Sequence, residues 1–212
     1  TDIRVTTDDG SPVELPRELV SASSTLETGE LHFKADSISS TTDTVFRIYY
    51  SGTTAGDYAA TSTYGAENVW GNGFAGVWHL GEDGNNSASN YKDSTSNDGD
   101  GTGTSMTTSS DVAGLVGNAQ TFDGANDYIN IANTPNLSGD STFQVSLWSK
   151  FSSYKTQPAT FAIRNGTSLT GLLLLYVSDN SGGNGFRTYY SNGNLIDQND
   201  GAEADDEWHQ YI

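Results

Sequence analysis

The chain has 212 residues, 34% apolar and 17% charged, with 27 acidic against 9 basic side chains and a formal net charge of −18. That excess of negative charge sets aside nucleic acid and anionic membrane surfaces as partners, because both would be repelled. With no Cys there is no disulfide framework, thiolate metal site or Cys nucleophile, and the longest apolar run, Leu172–Val177, falls far short of the roughly 20 residues a membrane-inserted helix needs.

Four Trp, eleven Tyr and eight Phe supply enough large side chains for a core, which argues against disorder. The remaining balance is Gly, Ser, Thr and Asn, the mixture of a turn-rich all-β chain. Thr1–Thr6 reads as a strand. Val13–Leu15, flanked by Pro12 and Pro16, suits an edge strand. Thr28-Gly29-Glu30 reads as a turn or bulge between two arms, after which Leu31, Phe33 and Ala35 share one face and His32 and Lys34 the other. Val45–Tyr50 is a β-branched and aromatic run, and Asp57–Asn68 has too much Gly, Ser and Thr for more than a short turn of helix.

Gly76-Val-Trp-His-Leu80 is a short apolar strand in which Trp78 belongs to the core. The polar stretch 81–111 is expected to be an ordered loop anchored by Tyr91 rather than a free linker. Beyond it, strands are expected at Leu115–Phe122, Tyr128–Ile131, Phe143–Phe151, Thr160–Arg164, Leu169–Val177, Phe186–Tyr190 and Trp208–Ile212, with turns at Asp123-Gly, Ser138-Gly, Asn165-Gly and Asn192-Gly between them. Leu172–Val177 is apolar at every position, so it is expected to be a central strand.

Two resemblances sharpen this outline. Asp2-Ile-Arg4, Asp9-Gly10, Leu15-Pro16 and Thr44–Tyr50 resemble a prokaryotic β-sandwich family of unknown function, with Ser51-Gly52 departing from its pattern. Gly76–Leu80, Asp93–Thr102 and Gly117–Ile129 resemble the opening of a laminin-G-like, concanavalin A-like jelly roll of prokaryotic and viral surface proteins. The resemblances imply an all-β fold of two tandem β-sandwich modules: 1–72 without its N-terminal strands, and 73–212, a truncated jelly roll without its C-terminal strands. They further imply a piece of a longer polypeptide, with strand exchange or homo-oligomerisation covering exposed edges.

Three groups of residues carry candidate chemistry. Glu203, Asp205 and Glu207 sit at i, i+2 and i+4, the spacing that lines one face of a strand, and resemble the carboxylates of laminarinase-type glucanases, which would make the chain a retaining glycan hydrolase. Asp93, Asp123 and Asp127 lie in Asp-Gly-Asn loops rich in the oxygen ligands that Ca²⁺ prefers, and laminin-G-like domains often carry a structural Ca²⁺. The 93–104 segment misses the calcium-loop pattern, with its Gly one place late and Thr104 where a Glu is needed. Trp148 lies opposite the apolar face of its strand, and the paired Tyr189 and Tyr190 must point to opposite faces, so these three are candidate platforms for sugar rings.

The expectation is therefore a non-catalytic adhesion or glycan-recognition module of a larger extracellular, cell-surface or virion-borne fibre or filament. Its partners would be glycans or cell-surface proteins, engaged through many weak contacts. A structural spacer or subunit-packing domain is the alternative, and the hydrolase a second one.

Overall fold

The computed structural model describes residues 3–8, 10–23, 25, 28–51, 56–131, 143–153, 159–164, 171–178, 185–190, 194–199 and 205–212, with the backbone alone described for strand residues between Ile163 and Asp205. The fold is all-β. The longest helix among the described residues is one turn, α1 (Ala66–Val69), and none is long and apolar enough to cross a membrane. Two compact units divide at Pro135 and Asn136.

In the first unit, β1 (Arg4–Thr7) pairs with β4 (Phe46–Tyr49), and this pair brackets the hairpin of β2 (Arg17–Ser23) and β3 (Thr28–Phe33). The same nesting recurs as β5 (Gly101–Thr104) pairs with β8 (Tyr128–Ile131) around the hairpin β6 (Asp111–Ala113) and β7 (Asn118–Gln120). Hydrogen bonds link residues on both sides of position 72: Glu18 of β2 bonds His79 and Ser94. In the second unit, β9 (Leu147–Lys150) pairs with β14 (Trp208–Tyr211), bracketing a four-stranded antiparallel meander of β10 (Ala159–Arg164), β11 (Gly171–Ser178), β12 (Gly185–Tyr190) and β13 (Asn194–Asn199). The apolar run Leu172–Val177 lies in β11, an inner strand laddered on both edges as expected.

Three local expectations are corrected. Thr28-Gly29-Glu30 is no turn; it opens β3, opposite Ser23, Ala22 and Ser21, and the irregularity lies across the ladder, where the register shifts between Leu19 and Ser21. Leu115-Val-Gly117 breaks the strand expected over 115–122, because Gly117 has φ +61° and forms the turn between β6 and β7. Gly76–Leu80 forms no ladder; it runs beside the 93–99 loop, bonded through Val77 O to the Ser94 N–H and through the Val77 N–H to Asp93 Oδ1, and Leu80 has φ +58°. Trp78 is half-buried there, its ring against Gly76 and its Nε1–H donated to Gly99 O.

The core of the first unit is small and mixed. Val5, Tyr91 and Met106 are its largest fully buried side chains, joined by Leu15 and Val69. Burying a side chain such as Met106 completely stabilises by about 1.5–3 kcal/mol. Tyr91 anchors the 81–111 segment as expected: its backbone bridges Gly101, and its ring passes so close to Gly103 that a Cβ there would lie 3.1 Å from Tyr91 Cε2 and 2.3 Å from Asn85 O. Only glycine permits that approach. In the second unit Ile163 is buried against Val145, Leu147 and Phe161, which places the apolar face of β9 inward.

Candidate functional site

The densest polar constellation is built on the β2–β3 hairpin. Successive strand residues point to opposite faces, so Glu30 and His32 of β3 share a face. Glu18 of β2 stands directly opposite His32 in the register, which places it on that face too. Trp70, the residue that ends α1, and His79, in the irregular segment after it, close over this surface. His32 Nε2 lies 2.9 Å from Glu30 Oε1, and the two imidazoles stack with centroids 4.7 Å apart. The Trp70 ring flanks both, 5.4 Å from His32 and 5.9 Å from His79.

Glu18 is held by three donors. Trp70 Nε1–H donates to Oε2 at 2.6 Å, Ser94 Oγ–H to Oε1 at 2.5 Å, and His79 Nε2 lies 3.0 Å from Oε2. Burial disfavours the carboxylate, but the bonds from His79, Ser94 and Trp70 outweigh it and hold the Glu18 pKa below its ordinary value. Burial likewise disfavours the imidazolium of His79, and the bond to Glu18 with the charges of Glu18, Glu30 and Glu82 raises its pKa nonetheless. Because an ionised carboxylate only accepts, His79 donates its Nε2–H to Glu18. Its Nδ1 then faces Glu30 Oε1 at 3.5 Å.

Among the described residues, Glu30, His32 and His79 are the group of three His, Asp or Glu side chains whose ligand atoms all lie within 4.8 Å of one another. A cavity of about 370 Å³ opens beside them, with Glu82, Lys92, Ser94 and Asn118 among its walls. His32, His79 and His209 are scattered along the sequence, a distribution that does not by itself make a zinc site. Taking Thr28–Glu30 for a turn hid the Glu-x-His pairing on one strand face, and nothing local joins His79 to it.

The residues singled out from sequence sit elsewhere. Asp93 is nearly buried and saturated: Oδ1 accepts the Val77 and Thr95 N–H groups, and Oδ2 the Thr95 hydroxyl and the Gly99 N–H, each at 3.0 Å. Asp123 Oδ1 accepts the N–H groups of Ala125, Asn126 and Asp127, while Asp127 Oδ2 accepts the Asp123 N–H. Asp123 and Asp127 thus come together in one turn, and they form no three-ligand group with Asp93. These contacts are those of carboxylates that fix loop backbone.

Glu203 lies outside the described residues. Asp205 and Glu207 occupy the exposed bend before β14, where Asp205 accepts the Glu207 N–H at 3.0 Å and pairs with His209 Nε2 at 3.0 Å. The one-face geometry of a strand therefore does not apply to them. Trp148 is 51% exposed in the middle of β9, directly opposite Gln210. Gln210 Nε2–H donates to Ser146 Oγ at 3.2 Å, and Lys150 pairs with Asp206 at 3.4 Å. Tyr189 and Tyr190 are the last residues of β12, in register with Leu174 and Leu173; their side chains lie outside the described residues.

No protein-family model, curated protein or solved structure matched this chain.

Proposed function

We propose that the chain is a non-catalytic recognition module that presents the outward face of β9 and β14 to glycans, within a larger extracellular surface or fibre protein built of tandem β-sandwich modules, the second of jelly-roll type. The observation that carries this reading is Trp148. A large aromatic ring left half in water costs apolar exposure, and it lies among groups that suit a sugar: the Gln210 amide, the Ser146 hydroxyl and the Lys150 ammonium. The flat C–H face of a pyranose stacks on the indole while its hydroxyls bond the surrounding polar groups. A single shallow platform binds weakly, so the affinity that matters comes from many copies. The test is a glycan array probed with the chain displayed multivalently, beside its Trp148→Ala variant. Retention of a glycan class that the variant loses supports the reading; no retention, or equal retention by the variant, overturns it.

A second reading is subunit packing. β4 carries exposed Ile48 (52%) and Tyr49 (48%), flanked by exposed Val45 and Tyr50, and among the described residues its ladder has β1 as partner. Light scattering decides it: an oligomer that Ile48→Lys dissociates supports packing, and a monomer at high concentration excludes it.

A further inference from the structure

We infer that Glu30, His32 and His79 form a binding site for a divalent transition metal, Zn²⁺ foremost, independent of the glycan-binding face. Two imidazole nitrogens and one carboxylate oxygen are the donor set that borderline metals take, with zinc bonds of about 2.0–2.1 Å. Ligand atoms in a tetrahedron of that size stand about 3.3 Å apart. Glu30 Oε1 lies 2.9 Å from His32 Nε2 and 3.5 Å from His79 Nδ1, on either side of that spacing. Ca²⁺ suits the site poorly, since it takes six to eight oxygens and imidazole is not its ligand.

The surroundings are those of a supported metal ligand. A ligating imidazole ordinarily donates its second nitrogen to a carboxylate, which fixes its tautomer and aims the first. Glu18 does this for His79, and is itself immobilised by Trp70 and Ser94. With Nε2–H committed to Glu18, the Nδ1 lone pair of a neutral His79 points toward the electron-rich Glu30 Oε1. A cation between them converts that opposition into coordination. The indole of Trp70 walls one side of both imidazoles. The cavity bordered by Glu30 and His79 leaves the other side open, so water or a small anionic or hydroxyl ligand completes the shell.

The test uses the full chain after chelator treatment, titrated with ZnCl₂ by calorimetry and by competition with a chromophoric chelator, with CaCl₂ in parallel. One equivalent of Zn²⁺ is expected to bind at micromolar affinity or better and to raise the melting temperature, with no such rise from Ca²⁺. Glu30→Gln and His32→Gln, each checked for native circular dichroism, are expected to weaken binding at least tenfold. Glu18→Gln, which leaves the three ligands in place, is expected to weaken it by about 10–100-fold. Ring-nitrogen NMR provides a readout that does not depend on any variant folding: Zn²⁺ should shift His79 Nδ1 and leave Nε2 protonated. Absence of stoichiometric Zn²⁺ binding by the wild-type chain, or unchanged binding in folded Glu30→Gln and His32→Gln, overturns the assignment.

Discussion

Glu18 and His32 occupy directly opposed positions of the β2–β3 ladder, and the side chain that joins them comes from outside it: His79 bonds Glu18 through Nε2 and stacks on the His32 ring. The hairpin alone would hold two carboxylates and an imidazole on a bare sheet face. The segment around His79 and the indole of Trp70 turn that face into a partly covered site.

Gly117 lies against this site, and its substitution should report on both backbone and ligand. Its φ is +61°, and a Cβ would lie 2.6 Å from Glu30 Oε2. Gly117→Ala is expected to destabilise by about 1–2 kcal/mol through its left-handed backbone. It should also push the Glu30 carboxylate aside and lower Zn²⁺ affinity. Urea denaturation measures the first effect and the zinc titration the second.

Asp93 secures the polar loop with four donors in a nearly buried setting. Asp93→Asn keeps the shape but sets an NH₂ group against donors. The expected loss is about 2–3 kcal/mol, read as a lower denaturation midpoint with an unchanged slope.

The stability of the first unit should fall in acid. Burial opposes ionisation of Asp100, but the Lys92 ammonium and the Asp93 N–H hold its pKa below the ordinary value. The N–H groups of Ala125 and Asn126 do the same for Asp123. Both folded pKa values lie below the unfolded ones. Their stabilisation is therefore complete above the ordinary aspartate value and is lost as pH falls through the folded values. Denaturation midpoints should decline as pH falls below about 4, while His79, whose folded pKa is raised, adds stabilisation that is lost as pH rises through its folded value. Lys92→Met should flatten the acid decline.

Trp148 should contribute little to stability because it is half exposed. Trp148→Ala is expected to change unfolding free energy by less than about 0.5 kcal/mol. Acrylamide should quench the wild-type fluorescence more strongly than that of the variant. A large loss of stability would mean that the ring is covered.

Where apolar residues run or alternate, the fold could be read from the sequence. Tyr128–Ile131, Phe186–Tyr190 and the inner strand through Leu172–Val177 are examples, and the outward placement of Trp148 followed from the alternation Val145, Leu147. Gly101–Thr104 and Asn194–Asn199 were not legible. The first is a strand of Gly and Thr whose pairing depends on Tyr91 and Ile129 closing over missing side chains, a tertiary reason with no local signature. The His/Glu cluster was hidden similarly. Gly29 suggested a turn, yet the backbone stays in register with Ala22, and Glu30 thereby joins His32 on one face. Its third member arrives from a segment that forms no strand.

The carboxylate fastening of the long loop also governs its response to temperature. Melting this segment uncovers amide, hydroxyl and carboxylate surface together with Tyr91 and Met106. Hydration of polar surface lowers the heat-capacity increment that hydration of apolar surface raises. The increment for this part of the chain is accordingly expected to be lower than that of an apolar segment of equal size, and its stability curve flatter.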